Sequence, residues 1–309
     1  MQEEYKHIRL SIGDVNWDSV LGHYYIDFRN MEVNYLNNIY DGGFDEEGVP
    51  YLKYDKNNFY SPVNVAQYAL LIYSKYLYDS SNDQKEIFLS CVNKLVKTSV
   101  EKDNVLYWYY YHDSQKYSLK TPWISGMAQG QIISVLLRAY ELTGNMEYIE
   151  MSKKAFSVLN MDVSIGGARR LDKNGDLWYE EYPSPNEGSY VLNGFIYALF
   201  GVIDLYRITK ERYYLECIQK CRITLVHNLF KFDAGYWSYY DLKHKELVRF
   251  YYQINVHALQ MEVLFQLFEL KLFSEYALKW RKNANKLNFV LVQIMYRVLP
   301  RWRRIRRMF

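Results

Sequence analysis

The stretch RRLDKNGDLWYEEYPSPNEGSYVLNGFIYALFGVIDLYRI, residues 169–208, decides the fold. Two short runs, 169–171 and 177–180, flank Asp172-Lys173-Asn174-Gly175. Asn-Gly reverses a chain tightly because both residues tolerate positive φ, so a β-hairpin is expected there. From about 189 to 208 apolar residues recur at helical spacing, and a partner helix follows over about 211–228. The unit is therefore hairpin, helix, helix.

Working outward, the unit recurs about every 60–65 residues. Upstream, a helix over about 127–142 stops at Thr143-Gly144, a glycine C-cap signal, and a partner covers about 146–159. The aromatic run 105–111 ahead of it is expected to be a strand, with His112-Asp113-Ser114 as its turn and 116–119 as its return. Earlier still, Ser61-Pro62 opens a helix carrying Val65, Tyr68, Ala69, Ile72 and Tyr76. A second helix near 84–99 follows, and residues 42–60 look like another hairpin. Downstream, 236–240 and 246–251 flank a turn around 241–245, and a helix is expected over about 254–273. Helical pairs that each carry one apolar stripe must stack to bury it. The expected fold is mainly α, an incomplete (α/α) toroid of helical pairs with β-hairpins on one rim lining a cleft. Three segments are expected: 1–60 as an N-terminal segment with a β-hairpin packing on the main domain, 61–285 as the helical catalytic domain, and 286–309 as a basic amphipathic tail.

Composition narrows the function. Half of the 309 residues are apolar and 24% are charged, which suits a globular chain with a large core. Thirty-three tyrosines and seven tryptophans are the anomaly. A tyrosine ring presents a flat apolar face and a hydroxyl, which suits sugars as well as a padded core. Cys91, Cys217 and Cys221 suggest neither a disulfide framework nor a metal quartet, and the six histidines lack metal spacing. No Gly-rich phosphate loop opens a helix, so no nucleotide cofactor is indicated. Asp172-Lys173-Asn174-Gly175-Asp176 resembles the start of a calcium loop but lacks the glutamate at position twelve, and a hairpin turn accounts for it. The N-terminus has no apolar signal core and no apolar run approaches the roughly 20 residues that span a bilayer. A cytoplasmic protein is expected. The net charge of +3 is uneven: Arg297, Arg301, Arg303, Arg304, Arg306 and Arg307 sit in a tail without acids, after the apolar run 289–296. That pattern suits peripheral attachment to an anionic membrane, here the inner face. Nucleic acid is not expected, because no nucleic-acid motif accompanies the charge.

The chemistry centres on Trp178-Tyr179-Glu180-Glu181-Tyr182-Pro183. Neighbours in an extended segment point to opposite faces, so one glutamate enters the cleft while the other bonds elsewhere. A glycosidase needs two carboxyls some 5–9.5 Å apart, so a second acid would have to come from another hairpin. Asp241 and Asp113 are the candidates, and both read better as turn residues.

Several ordered blocks resemble the glucuronyl C5-epimerases, which convert glucuronate to iduronate in heparan-type chains. They are Tyr60–Tyr68 (YSPVNVAQY), Trp123–Gln131 (WISGMAQGQ), WYEEYP at 178–183, Tyr190–Phe195 (YVLNGF) and Tyr240–His244 (YDLKH). Together they cover roughly residues 50 to 280 and correspond to the family's helical catalytic domain. The resemblance implies Glu181 and Tyr182 as acid/base residues, with Tyr240 and Tyr251 as further catalytic tyrosines. Glu181 and Tyr251 are the expected opposed pair, and Tyr182 and Tyr240 tune or relay protons. Asn193 and Tyr197, one helical turn apart, are implied substrate contacts. Lys243, Gln129, Trp178, Tyr179, Tyr252 and Arg249 complete the expected binding set. The chain departs from the family in having Lys243 for an arginine and Asn255 for a histidine, and Tyr252 competes with Tyr251 for alignment. The expected activity is C5 epimerisation in an acidic, heparosan-type polysaccharide of an extracellular-polysaccharide pathway, without a redox cofactor or metal. A uronate polysaccharide lyase and a catalytically silent glycan-binding protein are the alternatives. The oligomeric state stays open, a homodimer included.

Overall fold

The computed structural model describes residues 9–37, 41–54 and 57–306; the side chains of residues 54 and 297–306 lie outside the described set, as do residues 307–309 with Arg307 of the tail. The first elements among the described residues are β1 (Ser11–Ile12), β2 (Ile26–Asp27) and the short α1 (Glu32–Leu36). A three-stranded antiparallel sheet follows, β3 (Gly42–Phe44), β4 (Pro50–Tyr54) and β5 (Asn57–Phe59). The first helical pair is α2 (Pro62–Asp79) and α3 (Asn82–Thr98). Then come β6 (Val100–Lys102), β7 (Val105–Tyr107), β8 (Tyr109–Tyr110) and β9 (Trp123–Ile124), which lead into α4 (Gly126–Thr143) and α5 (Glu147–Asn160). The hairpin β10 (Arg169–Leu171) and β11 (Leu177–Tyr179) precedes α6 (Leu192–Thr209) and α7 (Arg212–Asn228). The fourth inner helix is continuous but mixed: α8 (Phe250–Tyr252), a π-helical turn (Gln253–Ala258) and α9 (Leu259–Phe268), partnered by α10 (Lys271–Asn283). The last helix is α11 (Lys286–Arg306).

This is the expected α/α toroid. The inner helices α2, α4, α6 and α9 lie side by side, and α3, α5, α7 and α10 pack outside them. The inner helices are buried almost all round: in α4 every residue from Gly126 to Ala139 is buried. Two glycines let α4 and α6 approach closely. A Cβ at Gly130 would stand 2.4 Å from the Ala198 Cα, and one at Gly201 2.2 Å from the Gly130 carbonyl oxygen.

The ring is incomplete between its first and last inner helices, and the N-terminal segment fills that gap. Tyr35 packs on Tyr68 of α2, and the Tyr73 hydroxyl donates to the Leu21 carbonyl. On the other side the Trp17 indole donates to the Leu267 carbonyl, and the Leu10 amide donates to Asn255 Oδ1 at 2.9 Å. Beneath, Tyr25 stacks on Phe200 with ring centroids 4.6 Å apart. Asp204 there is fully buried with Arg138 (2.7 Å) and Arg207 (3.4 Å), and it accepts from the Tyr25 hydroxyl at 2.8 Å. The remaining guanidinium hydrogens go to the carbonyls of Asp18, Val20, Gly22 and Ser134 and to Asn16 Oδ1. A buried ion cluster is stable only when so completely bonded.

Three local expectations need correction. The aromatic run is not one strand with a turn at 112–114. Asp103 and Asn104 both adopt positive φ (52° and 61°), so Val105–Tyr107 folds back onto Val100–Lys102. Trp108 then turns inward, where its indole donates to the Leu95 carbonyl, and Tyr109–Tyr110 pairs with Trp123–Ile124. Of the expected return only the Ser114–Leu119 bridge forms. The second correction is at 246–251: this stretch forms the isolated Tyr239–Leu247 bridge, and the chain turns helical at Phe250, placing Tyr251 on a helix. Third, the helix expected over 254–273 runs over 250–268 and stops because Glu269 takes the left-handed conformation (φ 55°), with no glycine to announce it. The DKNG hairpin forms, but as a longer loop: Asp172 Oδ1 accepts from the Asn174 and Asp176 amides, and Gly175 supplies φ 82°. Among the described residues, no helix is long and apolar enough to cross a membrane.

Candidate active site

The antiparallel register of β10 and β11 pairs Arg169 with Tyr179 and Arg170 with Trp178, and the chain continues extended into Glu180 and Glu181. The two carboxyls diverge. Glu180 is a structural hub. Its Oε2 accepts from the amides of Ser189 (3.1 Å) and Tyr190 (3.0 Å) and from the Ser189 hydroxyl, and its Oε1 accepts from Arg170 Nε. Its carbonyl caps the Gly126 amide at the start of α4. Glu181 points the other way, towards the first turn of α6. A Cβ on residue 194 would meet Glu181 Oε2 at 2.2 Å, so the glycine of VLNGF makes room for this carboxyl.

The segment 240–242 is pinned to the start of α6: the Leu192 amide donates to the Tyr240 carbonyl and the Leu242 amide to the Tyr190 carbonyl. Tyr240 thereby reaches Glu181, its hydroxyl donating to Oε1 at 3.1 Å. Tyr182 stacks face to face on Tyr117, with centroids 3.9 Å apart and 7° between planes. Tyr117 in turn donates to Asp241 Oδ2 at 2.9 Å. Asp241 is thus a buried support behind the tyrosines. It lies 3.7 Å from Lys116 Nζ, which also pairs with Glu246 and lies 5.3 Å from the Tyr240 ring centroid.

Glu181, Tyr182 and Tyr240 border a cavity of about 920 Å³ at the rim where the inner helices begin, with Tyr117, Asp241 and Lys116 behind them. Of the expected catalytic residues, Glu181, Tyr182, Tyr240 and Tyr251 all line it; of the expected binding residues, Asn193, Tyr197, Tyr252 and Arg249 do. Four do not. Gln129 is buried between hairpin and helix, accepting from the Trp108 amide and donating to the Leu106 carbonyl. Trp178 packs into the core against Tyr190, Phe195 and Phe232. Tyr179 is buried on the side of Cys217 and Cys221. Lys243 pairs with Glu187 at 3.0 Å. Position along the chain explains the WYEEYP result: Trp178 and Tyr179 lie within the fully buried strand β11, and the motif reaches the cavity only beyond it, at Glu181 and Tyr182.

The lining includes residues the motif reading passed over. Tyr110 and Trp123, stacked 4.4 Å apart, form one wall with His112, and Phe28, Met31 and Asn34 come from the N-terminal segment. Phe289, Gln293 and Tyr296 of α11 complete the rim. Their spacing of four and three is a helical face that is readable in the sequence; the support that Lys116 and Tyr117 give from behind the lining depends on tertiary pairing and is not. Asn255, in place of the family's histidine, anchors Leu10 as described.

Burial pushes the Glu181 carboxyl up to about 7, opposed by the hydroxyls of Tyr182 and Tyr240 and by the Lys116 charge. Its Oε2 and Asn193 Oδ1 are buried without a hydrogen-bond partner among the described residues. Burial, reinforced by the nearby Glu181 charge, raises Tyr182 and Tyr240 well above the usual phenol range, so both hydroxyls are donors near neutrality. Tyr197 is raised too, by burial and by its neighbours Tyr251 and Tyr252. A carboxyl poised near neutrality beside neutral phenols can exchange protons with a bound molecule. Arg249 supplies an exposed cation at the rim, with no ion pair among the described residues. Among the described residues no three His, Cys, Asp or Glu side chains converge as a metal-binding group.

Comparison with known proteins fits this geometry. The chain is 34% identical over 145 residues to a D-glucuronyl C5-epimerase of Caenorhabditis elegans, a match covering 43% of this chain and 23% of that protein. The chain therefore spans under a quarter of that relative. It is 29% identical over 239 residues to an uncharacterized protein of Methanocaldococcus jannaschii, covering 72% of this chain and 77% of the other. Two solved structures share the fold. The unsaturated glucuronyl hydrolase of Bacillus sp. GL1 has a TM-score of 0.50 at 15% identity, over 71% of this chain and 61% of that one. The GH76 α-mannanase of Bacteroides thetaiotaomicron has a TM-score of 0.51 at 14% identity, over 82% and 65%. The sequence model described as D-glucuronyl C5-epimerase C-terminus matches residues 101–282, more than half of the chain and most of the cavity wall, and the chain belongs to that family.

Proposed function

We propose that this chain catalyses C5 epimerisation of D-glucuronate to L-iduronate residues within an acidic polysaccharide. The observation that supports this best is Glu181, a buried carboxyl pushed up to about 7 in a cavity that it shares with Tyr182, Tyr240 and Tyr251. The Glu181 carboxylate takes the C5 proton, and the electron pair left at C5 delocalises into the sugar carboxylate. Arg249 and the neutral tyrosine hydroxyls offset that charge. Tyr251 returns a proton from the opposite face and is left as phenolate; Tyr182 and Tyr240 hold Glu181 and relay the proton it took on to solvent, from which Tyr251 is reprotonated. The oxidation state of the sugar does not change, so the cycle calls for no redox partner.

The test is incubation of the protein with a heparosan-type uronate polymer in deuterium oxide. Deuterium should enter at C5 without chain cleavage, and Glu181→Gln should slow its entry by about 10²–10⁴-fold. An ultraviolet-absorbing unsaturated product would instead identify a lyase, and binding without exchange a silent glycan-binding protein. Exchange that survives both Glu181→Gln and Tyr251→Phe would sink the residue assignment.

A further inference from the structure

Helix α11 is apolar on two faces. Its inner face packs on the molecule: Val292 is 1% exposed against Trp237, Leu247 and Val248, and Phe289 meets Phe250 edge-on at 5.0 Å. Its outer face presents Leu287, Val290, Leu291 and Ile294, exposed by 83, 54, 43 and 52%. The intervals of three, one and three place these four on one stripe, about 10 Å long at 1.5 Å per residue. The same helix carries no acidic residue from Lys286 to Arg306 and holds Arg297, Arg301, Arg303, Arg304 and Arg306 with Trp302. An exposed apolar stripe continued by a run of arginines is the pattern of a helix that lies in a membrane interface.

We propose that α11 docks the protein on an anionic lipid surface, its outer stripe entering the headgroup region and its arginines meeting the lipid charge. The two features together select this occupant. A second copy of the chain would bring the same arginines to the stripe and repel. A uronate polymer would answer the arginines but leave four apolar side chains in water. Anionic lipid answers both. The inner face of this helix also walls the cavity, through Phe289, Gln293 and Tyr296. Docking therefore holds the cavity mouth about one helix diameter, roughly 10 Å, from the headgroups.

Flotation of the full chain with vesicles tests this without reference to catalysis. The protein should float with mixed phosphatidylglycerol–phosphatidylcholine vesicles and stay behind with phosphatidylcholine alone. Leu287→Asn/Val290→Asn/Ile294→Asn should lose flotation while keeping the parent's circular dichroism and thermal transition, because these side chains are exposed. Arg303→Gln/Arg304→Gln should weaken binding about tenfold or more at low salt. The proposal is overturned by no flotation with anionic vesicles, by equal flotation with neutral ones, or by a triple variant that binds as the parent does. A dimer that the triple variant dissociates, without vesicle binding, would reassign the stripe to self-association. Retention on a uronate polymer with no flotation would reassign the arginines to glycan.

Discussion

The two ends of α4 and α6 treat buried polar groups in opposite ways. At the C-terminal end, Asp204 has two arginines and a tyrosine hydroxyl, and the guanidinium groups of Arg138 and Arg207 are bonded in turn to carbonyls of the N-terminal segment. At the N-terminal end, Glu181 keeps one oxygen unpartnered among the described residues, as does Asn193. Asp204 spends its hydrogen-bonding capacity on the fold; Glu181 keeps one oxygen in reserve for a ligand. A buried polar atom without a partner is rare enough to ask for an explanation, and a site that must grip a polar substrate supplies one.

Substitutions at the two ends should therefore fail differently. The largest effect falls on chemistry: Glu181→Gln keeps the shape and removes the proton acceptor, so C5 exchange should drop by about 10²–10⁴-fold, read by mass spectrometry of the polymer. Asp204→Ala leaves two buried guanidinium groups uncompensated and should cost about 3–5 kcal/mol in urea unfolding. Survival of full stability would mean the closed end is not the anchor it looks like. Third, Glu181→Gln should stabilise the fold in a pH-dependent way. With the folded carboxyl near 7 and the unfolded one at its ordinary 4.5, the parent has its full stability below the unfolded value. It loses stability as the pH rises towards 7, because the buried site resists ionisation that the unfolded chain accepts. The variant should gain up to about 3 kcal/mol over the parent at pH 8 and little at pH 4. Matching unfolding curves at both pH values would remove the basis for calling the carboxyl poised. The smallest effect is Arg249→Ala at the exposed rim, expected to lower kcat and kcat/KM together by about tenfold, because the cation offsets charge that develops as C5 is deprotonated.

Much of this architecture was legible because helical periodicity is a local signal: the pairs 62–98, 126–160 and 192–228 lie within a few residues of where apolar spacing put them. What escaped was decided elsewhere. Glu269, Ser80 and Lys210 end helices in the left-handed conformation without the glycine that would have advertised it. Asp103-Asn104 is a turn whose signal was outweighed by the tyrosine run beside it. In the candidate site, adjacency in WYEEYP suggested a shared role for Trp178 to Tyr182, and the end of the buried strand β11 at Tyr179 divided it. Gln129, inside a block quoted for its resemblance, turned out to be a bracket between Leu106 and Trp108. The Tyr182–Tyr117–Asp241 column could not be read from the chain, since it joins residues from three hairpins.

The N-terminal segment that fills the gap in the ring bears on how the molecule is made. Its bonds to the last inner helix join residues 245 and 250 positions apart, Leu10 to Asn255 and Trp17 to Leu267. Such separation makes closure a late and slow event in folding, because the intervening chain must be ordered before the contact repays its entropy. A segment that precedes every helical pair must wait for the last inner helix. Until then α2 and α9 each present an uncovered apolar flank, the surface on which a half-finished ring would be captured by a chaperone or by another chain.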